Sequence, residues 1–366
     1  MLTKKLSIGI IGTRGIPNQY GGYEAAVQEL APRLMAKGHE VVVYCSSLQT
    51  YKDSIWNGVK LIYQYDPENR IGSAGQFIYD LKCNISSRFQ NHDVIFHMGY
   101  TSDSVWHWLW DSKARHITNM DGLEWKRSKY SQRVQKFLKK AEKLAAVKSN
   151  LLIADSIGIL EYVQQKYNTP VLHIAYGVQI PNVFDEKRLA EYKLTPNKYD
   201  LLIARMVPEN NIEMAIKAKN LSNVEDVPLV IFGNENSYGN KLKEEYKGNA
   251  RIKFCNANYD KVLLDSLRHF SRYYIHGHSV GGTNPSLLEA MAAQSRVLAH
   301  NNVFNKGVLQ QGGSYFNTAD QLVELLNQDN PYAISLEQIA GNLKLLMEDY
   351  NWEIITNKYE EAAYHI

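Results

Sequence analysis

The chain has 366 residues, which is more than one hydrophobic core usually serves, so we expect two domains. With 41 Lys and Arg against 38 Asp and Glu, the net charge of +3 is too small to indicate a nucleic-acid partner. The three cysteines are widely separated and lack a C-x-x-C spacing, which argues against a disulfide framework and a zinc site. No segment is long enough to span a bilayer, and the start does not resemble a signal peptide, so we expect a cytoplasmic protein.

Short β-branched segments alternate with longer segments of helical periodicity, which is typical of βαβ units and parallel sheets. In the first half, the predicted strands are residues 6–11, 41–45, 59–65, 93–97, 115–120 and 150–155. In the second half, they are residues 199–204, 228–233, 251–254, 272–276 and 296–299. The expected fold is α/β, with two doubly wound, Rossmann-like parallel-sheet domains facing a cleft.

The periodicity breaks near residues 173–184, which contain Gly177 and Pro181. We therefore place the first domain at residues 1–176 and the second at residues 177–345. Residues 346–366 are predicted to form a helix that packs back on the first domain.

A glycine-rich loop, GTRGIPNQYGG, runs from Gly12 to Gly22 between a predicted strand and a predicted helix and includes Gly15. Such a loop lets backbone N–H groups and a helix dipole approach an anion. Its spacing is neither the dinucleotide fingerprint nor a P-loop, which disfavours a nicotinamide cofactor. Arg14 favours contact with an anion or a sugar. The alternative is a tight turn with a solvated arginine.

The stretch HGHSVGGTNPSLLEAMA, residues 276–292, predicts an anion site at the start of a helix. Asn284 is a good N-cap with Pro285 at the first helical position. The N-terminus of a helix carries about half a positive charge, which favours a phosphate or a phosphorylated sugar. Glu289 would accept hydrogen bonds from the vicinal hydroxyls of a ribose, or would only complement the helix dipole. The candidate ligand-binding residues before the helix are Gly281, Gly282, Thr283 and Asn284.

ARMVPEN places Arg205 at the end of a predicted strand, where its guanidinium suits bidentate contact with a phosphate. Together with AYGV (175–178) and NPSLLEAMA, this segment resembles the retaining glycosyltransferases of family 4, which have the GT-B fold. IGTRGIPNQYGGYE, NMDGLEWKRSKY and GHSVGGTNPSLLEAMA are similar to a bacterial polysaccharide rhamnosyltransferase-like subgroup. The resemblance covers nearly the whole chain.

Two positions depart from the pattern of family 4. Gly281 replaces the acid that usually lies eight residues before Glu289, and Asn210 replaces the lysine five residues after Arg205. The missing sugar contact would come from His278 or from the N–H groups of residues 281–284. The missing cation would be Arg14, Arg268 or Arg272.

NMDGLEW places Asp121 after a predicted strand. The resemblance implies that this residue faces the sugar-transfer centre. The alternative is an Asp-Gly turn without a chemical role. His276 and His278 have no third ligand at matching spacing, and the chain has no Asp-x-Asp triplet, so we expect no metal and no other cofactor. Arg205 and the helix N-terminus would stabilise the leaving diphosphate.

The resemblance implies that the first domain binds the acceptor and that the second binds a nucleoside diphosphate sugar. The favoured donor is dTDP-rhamnose. The reaction would be retaining transfer to a glycan hydroxyl in bacterial surface polysaccharide synthesis, with the leaving phosphate as the base. The alternatives are a hexosyltransferase that uses a UDP- or GDP-sugar, a nucleotide-sugar 2-epimerase of similar fold, and a non-catalytic nucleotide-sugar sensor.

From Lys126 to Lys148, seven lysines and two arginines are balanced only by Glu142, which gives a local charge of +8. Apolar residues recur at helical spacing, and basic residues form a separate stripe. This pattern favours a helix that attracts an anionic inner leaflet, at about 1 kcal/mol per basic residue, and a polyprenyl-diphosphate-linked acceptor. The aromatic run 105–110 would help if exposed, although buried packing is the expected outcome. The alternative is a solvated helix flank. The predicted membrane-facing residues are Lys136, Lys139, Lys140 and Lys143.

Overall fold

A computed structural model describes residues 4–120, 122–126, 130–280, 282–328 and 336–364. The chain divides into two compact units. The first comprises Met1–Gly177 and Trp352–Ile366, and the second comprises Val178–Asn351. Each unit is built around its own sheet.

The first unit contains an eight-stranded sheet. Its strands are β1 (Ser7–Ile11), β2 (Glu40–Ser46), β3 (Ile55–Trp56), β4 (Val59–Gln64), β5 (Val94–Met98), β6 (Arg115–Asn119), β7 (Leu151–Ala154) and β8 (Val171–His173). Their order is β3-β4-β2-β1-β5-β6-β7-β8, and only the β3–β4 pair among them is antiparallel in the described residues. Every residue of β5 and β7 is buried, as expected for parallel strands with both faces covered.

Helices follow most of these strands. They are α1 (Gly22–Ala36), α2 (Glu68–Ile71), α3 (Gly75–Ser87), α4 (Gln132–Lys148) and α5 (Ile157–Lys166). Short 3₁₀ segments lie at Gly72–Ala74, Ser104–Leu109 and Glu124–Lys126. The second and third of these segments pack against α4.

The second unit contains a six-stranded parallel sheet in the order β11-β10-β9-β12-β13-β14. Its strands are β9 (Asp200–Ile203), β10 (Leu229–Gly233), β11 (Ile252–Asn256), β12 (Tyr274–His276), β13 (Val297–His300) and β14 (Ser314–Phe316). Its helices are α6 (Ile212–Leu221), α7 (Ser237–Glu245), α8 (Lys261–His269), α9 (Pro285–Ala292), α10 (Val303–Leu309), α11 (Ala319–Leu326) and α12 (Leu336–Asp349). Two 3₁₀ segments lie at Glu186–Tyr192 and Pro208–Asn210. Each predicted strand overlaps a strand of the structure, and β3, β8 and β14 are additional.

Three charged side chains are buried together at the amino edge of this second sheet. Nε and Nη2 of Arg272 donate to the two carboxylate oxygens of Asp200, both at 2.8 Å. Nζ of Lys219 donates to the same carboxylate at 3.0 Å. Arg272 is therefore committed to Asp200, at the edge where β9 begins, and is unavailable as a diphosphate cation.

The last helix, α13 (Trp352–Tyr364), belongs to the first unit, where it packs against α1. The hydroxyl oxygen of Tyr359 accepts a hydrogen bond from Nδ2 of Asn119 at 3.2 Å. Glu360 pairs with Lys37 at 2.7 Å and with His39 at 3.0 Å. These contacts tie the end of the chain to the first sheet and to the end of α1.

Candidate functional site

The loops that follow β9 and β12 meet at the carboxyl edge of the six-stranded sheet. The strands are parallel, so both loops leave the sheet at the same edge. Nδ2 of Asn211 donates to the carbonyl oxygen of Gly277 at 2.8 Å. The N–H and the hydroxyl of Ser279 donate to the carbonyl oxygen of Glu209 at 3.0 and 2.8 Å. Hydrogen bonds donated from each loop therefore hold the two together.

At Gly277 the two loops approach too closely to admit a side chain. A Cβ atom here would lie 2.2 Å from the carbonyl oxygen of Asn210 and 3.1 Å from its carbonyl carbon. Both atoms belong to the backbone, so no flexible group can move aside. Asn210 is itself buried, and its Nδ2 donates to the carbonyl oxygen of Arg205 at 2.8 Å. The glycine thus fixes the path of the segment that carries Arg205 and Asn210.

Arg205 lies just beyond β9, and its side chain is exposed. It forms no ion pair within the described parts of the chain, whereas Arg14, Arg268 and Arg272 each pair with a carboxylate. A guanidinium in this position is available to an anionic ligand.

Two histidines lie at the end of β12. The rings of His276 and His278 stack with their centroids 4.3 Å apart. Burial and the nearby charge of Arg205 lower the pKa of His278 to about 3, and burial also holds the pKa of His276 well below its usual range. Both rings are therefore neutral at pH 7. Nδ1 of His278 is buried and has no hydrogen-bond partner among the described residues.

These histidines do not belong to a recognisable metal centre. Over the residues that the structure describes, no group of three or more His, Cys, Asp and Glu side chains is arranged to hold a metal ion. A neutral imidazole both donates and accepts hydrogen bonds, which suits it to a hydroxyl.

Helix α9 begins as the sequence predicts. Oδ1 of the N-cap Asn284 accepts a hydrogen bond from the N–H of Ser286 at 3.0 Å, and Pro285 occupies the first helical position. Thr283 is buried and Gly282 is half-buried. Gly281 lies outside the described residues.

Glu289, in the second turn of α9, is held by an arginine that sequence reasoning did not connect with it. Nη2 of Arg268, in α8, donates to Oε2 of Glu289. The Arg268 side chain is 3% exposed, whereas that of Glu289 is 38% exposed. Nη1 of Arg268 also lies 3.4 Å from Oδ1 of Asp265. The Glu289 carboxylate is thus held by a buried arginine and is still partly exposed to solvent.

The first glycine-rich loop needs its glycines for its own backbone. Gly12 and Gly15 have φ angles of +91° and +103°, which disfavour other residues. A Cβ atom at Gly12 would lie 2.7 Å from the carbonyl oxygen of Met98, and one at Gly15 would lie 2.4 Å from Sγ of Cys45. Gly22 is the first residue of α1.

Arg14 in this loop is neither solvated nor free. Its Nε and Nη2 both donate to the carboxylate of Glu68 at 2.7 Å, and its Cζ lies 3.5 Å from the centroid of the Tyr20 ring. Its N–H donates to Oε1 of Glu24 at 2.8 Å. The pair with Glu68 neutralises the guanidinium, so binding of an anion here would require that pair to open. A contact between this loop and a donor stays a prediction.

Asp121 also lies outside the described residues, and its role stays a prediction. The segment after it is anchored to α4, since Nε1 of Trp125 donates to Oε2 of Glu142 at 2.8 Å. Glu142 is buried and also accepts from Tyr162, Lys166 and Tyr167. Glu142, the only acid in the sequence between Lys126 and Lys148, therefore joins α4 to α5.

Helix α4 presents lysines and apolar side chains together at its surface. Its four predicted membrane-facing lysines, Lys136, Lys139, Lys140 and Lys143, are exposed. Leu138 and Ala141 are buried, whereas Val134 and Phe137 are 38% and 37% exposed. Nζ of Lys139 lies 4.3 Å from the centroid of the Trp125 ring.

The neighbouring tryptophans differ in exposure. Trp108 is 63% exposed, whereas Nε1 of Trp106 donates to the carbonyl oxygen of Phe77 at 2.9 Å. Trp110 stacks on His97 and His116, with centroids 4.3 and 4.7 Å apart. Stacking on the two histidines thus accounts for the half-buried Trp110, whereas Trp108 stays exposed. None of the described helices is long and apolar enough to cross a membrane.

Two protein families match the chain, and the boundary between the two matches lies close to the boundary between the two units. Residues 184–328 match the family described as Glycosyl transferases group 1. Residues 5–179 match the family described as Domain of unknown function (DUF1972). No curated protein matches the sequence.

Solved structures with similar folds cover nearly the whole chain. A sucrose-phosphate synthase from Thermosynechococcus elongatus has a TM-score of 0.81 at 15% identity, covering 98% of each chain. An α,α-trehalose-phosphate synthase (UDP-forming) from Burkholderia xenovorans, in complex with glucose-6-phosphate, has a TM-score of 0.75 at 12% identity, covering 98% of this chain and 100% of that one. Anabaena HepE in complex with UDP has a TM-score of 0.75 at 13% identity, covering 99% and 100%.

The two parallel-sheet units and these likenesses confirm the expected GT-B fold. With the group 1 domain at residues 184–328, they support a glycosyltransferase. The carboxyl edge described above lies within that domain.

Replacing Gly277 with alanine tests the close approach of the two loops. The added methyl would press on the backbone of Asn210, so we expect a loss of about 1–3 kcal/mol in the free energy of unfolding. Gly307→Ala is the matched control, because a Cβ there meets nothing within 4 Å and alanine is favoured inside a helix such as α10. Urea denaturation measures both. Equal stability of the two variants would show that the approach at Gly277 is not a constraint.

Proposed function

We propose that the protein transfers a sugar from a nucleoside diphosphate sugar to a hydroxyl of a glycan, with retention of configuration. The favoured donor is dTDP-rhamnose, and the product belongs to a bacterial surface polysaccharide. The observation that carries the proposal is the carboxyl edge of the second sheet, where Arg205, His278, the start of α9 and Glu289 come from elements that the hydrogen bonds and ion pairs fix in place.

The leaving diphosphate would be held by Arg205 and by the N–H groups at the start of α9. Both are fixed before the reaction, and both carry positive charge toward the place where negative charge develops. We propose that these groups replace a metal ion, so that activity survives EDTA. No base on the protein is proposed, because the leaving phosphate itself takes the proton of the acceptor hydroxyl.

His278 is proposed to contact the donor sugar where the family has an acid and this chain has Gly281. Its neutral ring suits a sugar hydroxyl, and its buried Nδ1 has no partner in the described part of the chain. Asp121 is proposed to contact the transferred sugar or the acceptor hydroxyl. Glu289 is proposed to accept a hydrogen bond from the pentose of the nucleotide.

Other functions remain distinguishable by experiment. The UDP named with two of the similar structures makes a UDP-sugar the alternative donor. Incubation with donor alone separates the reactions: an epimerised donor would favour a nucleotide-sugar 2-epimerase. Binding without turnover in the presence of every acceptor would favour a nucleotide-sugar sensor.

Substitution of Glu289 tests the nucleotide site. At a free concentration 100 times its dissociation constant, dTDP should raise the free energy of unfolding of the wild-type chain by about 2.7 kcal/mol. We expect Glu289→Ala to be less stable without ligand, because it removes a partner of the buried Arg268 guanidinium, and to lose most of the stabilisation by dTDP relative to its own ligand-free state. Thermal unfolding with and without dTDP measures the effect.

The matched control is Glu213→Ala. Glu213 lies near the start of α6 and is 43% exposed, close to the 38% of Glu289, but its partner Lys217 is exposed whereas Arg268 is buried. This variant should keep the full stabilisation by dTDP. If Glu289→Ala bound dTDP as tightly as the wild-type chain, the assignment of Glu289 would be wrong.

We also propose that the surface of α4 docks on the anionic inner leaflet, where it meets a polyprenyl-diphosphate-linked acceptor, which makes the protein peripheral on the cytoplasmic face. Four exposed lysines lie on the same helix as exposed Val134 and Phe137, and exposed Trp108 lies on the 3₁₀ segment that packs against it. Cations beside exposed apolar side chains are typical of helices that lie in a membrane interface.

Charge reversal on α4 tests this docking. The wild-type chain should sediment with vesicles that contain anionic lipid, less so as salt rises, and little with neutral vesicles. Replacing Lys136, Lys139, Lys140 and Lys143 with glutamate should abolish sedimentation and spare transfer to a short water-soluble acceptor. The control replaces four exposed lysines of the second unit with glutamate: Lys187, Lys198, Lys241 and Lys247. Unchanged sedimentation of the α4 variant would refute the membrane proposal.

A further inference from the structure

Helix α3 carries polar side chains on its inner side and apolar side chains on its outer side. Its buried residues include Asp80, Asn84 and Ser87, whereas Ile78 and Ile85 are 36% and 38% exposed. A helix on the surface of a domain normally buries its apolar stripe and exposes its polar one. The orientation of α3 is therefore the reverse of the usual one.

Hydrogen bonds hold α3 in this orientation. Nδ2 of Asn84 donates to Oδ1 of Asp103 at 2.6 Å. The hydroxyl of Tyr79 lies 2.8 and 2.9 Å from the carbonyl oxygens of Thr13 and Tyr44, to which it donates. A rotation that buried the isoleucines would break these bonds and leave buried polar groups without partners, which is unfavourable. The outward isoleucines are thus a fixed property of the fold.

The exposed apolar side chains continue past the end of α3. The N–H of Phe89 donates to the carbonyl oxygen of Ser86 at 3.2 Å, so the helical turn continues to Phe89, which is 77% exposed. Residues 78, 85 and 89 are separated by seven and four positions, a spacing that places them on one side of a helix. We call Ile78, Ile85 and Phe89 the α3 apolar surface.

The exposed charges around this surface all have the same sign. From residue 69 to residue 91 they are Arg70, Lys82 and Arg88, and the only acid in this range, Asp80, is buried. Exposed apolar side chains beside cations fit a bilayer that contains anionic lipid. A second copy of this chain fits less well, because a symmetric contact would bring the same cations together.

Helices α3 and α4 lie on the same side of the first sheet. The connections from β4 to β5 and from β6 to β7 run in the same direction along the sheet, and such crossovers share one hand. The rings of Phe77 in α3 and Phe137 in α4 have centroids 5.6 Å apart. The α3 apolar surface and the exposed lysines of α4 therefore belong to neighbouring helices.

We propose that the α3 apolar surface inserts into an anionic bilayer, while the lysines of α4 attract the lipid phosphates. This inference rests on the docking proposed above, and it specifies which part of the chain enters the bilayer. Binding then has two components. Salt screens the attraction by the lysines, whereas the insertion depends on the apolar area that leaves water and persists at high salt.

A fluorescent probe on this surface tests the insertion. The three native cysteines are buried, so Phe89→Cys supplies one accessible thiol for a nitrobenzoxadiazole label. The vesicles contain phosphatidylcholine and about one-third phosphatidylglycerol. We expect the emission to shift to the blue when vesicles are added, and nitroxide groups on the acyl chains to quench it.

The matched control for the probe is Leu221→Cys. Leu221 is 62% exposed and ends α6 in the second unit, so the same label there should show neither the shift nor the quenching. A label at residue 89 that behaved like the control would overturn the proposal.

Removal of the apolar side chains gives an independent measurement. The α3 variant combines Ile78→Ser, Ile85→Ser and Phe89→Ser. It should sediment with the same vesicles about tenfold more weakly than the wild-type chain, because less apolar area leaves water. At about 1 M NaCl, where charges are screened beyond about 3 Å, the wild-type chain should keep some binding and the α3 variant none.

The matched control for this variant removes three exposed apolar side chains of the second unit. It combines Leu221→Ser, Val262→Ser and Val303→Ser, at positions 62%, 47% and 57% exposed. It should sediment as the wild-type chain does, and stabilisation by dTDP checks that both variants are folded. Equal sedimentation of the α3 variant and the wild-type chain at both salt concentrations would contradict the proposal.

The outcomes also separate this inference from the docking proposed above. If the wild-type chain bound no vesicles, the docking itself would fail, and the insertion with it. If charge reversal on α4 abolished sedimentation while the α3 variant bound normally, only the insertion would fail. If, without lipid, ultracentrifugation found a wild-type dimer and a monomeric α3 variant, a second copy would cover this surface and the proposal would be wrong.

Discussion

The close approach of Gly277 to the backbone of Asn210 is the constraint on which the candidate site depends. It brings the loop after β12 against the loop after β9, and the hydrogen bonds of Asn211 and Ser279 then fix both loops. These two loops carry Arg205 and His278, so fixing the loops also fixes where the two side chains start. A bulkier residue at this glycine would have to separate groups that the proposed chemistry needs together.

The arginines of the chain illustrate how the structure distributes charge. Arg14, Arg268 and Arg272 are each paired with a carboxylate, and Arg272 lies at the opposite edge of its sheet from α9. Arg268 acts on the site by holding Glu289, whereas contact of Arg14 with a donor stays a prediction. We therefore propose Arg205 and the start of α9 as the groups that hold the diphosphate, and His278 as the sugar contact that replaces the family's acid at Gly281.

The sequence predicts the fold because buried parallel strands appear as short apolar runs, as in β5 and β10. It misses β8 and β14 because these three-residue strands are only partly buried and lack such runs. The start of α9 is predictable because an N-cap and a first-turn proline are local signals. The pairs Arg268–Glu289 and Arg14–Glu68 join residues 21 and 54 positions apart, so no local pattern shows them. The Asn57-Gly58 turn before β4 did offer a hairpin signal for β3.

Hydrogen–deuterium exchange of the full chain with and without dTDP measures most directly where the nucleotide binds. We predict slower exchange in residues 205–211 and 276–289, with residues 237–256 around α7 and β11 unchanged as an internal reference. Bound dTDP that left both of the first two segments unchanged would contradict the assignment of the nucleotide to the carboxyl edge of the second sheet.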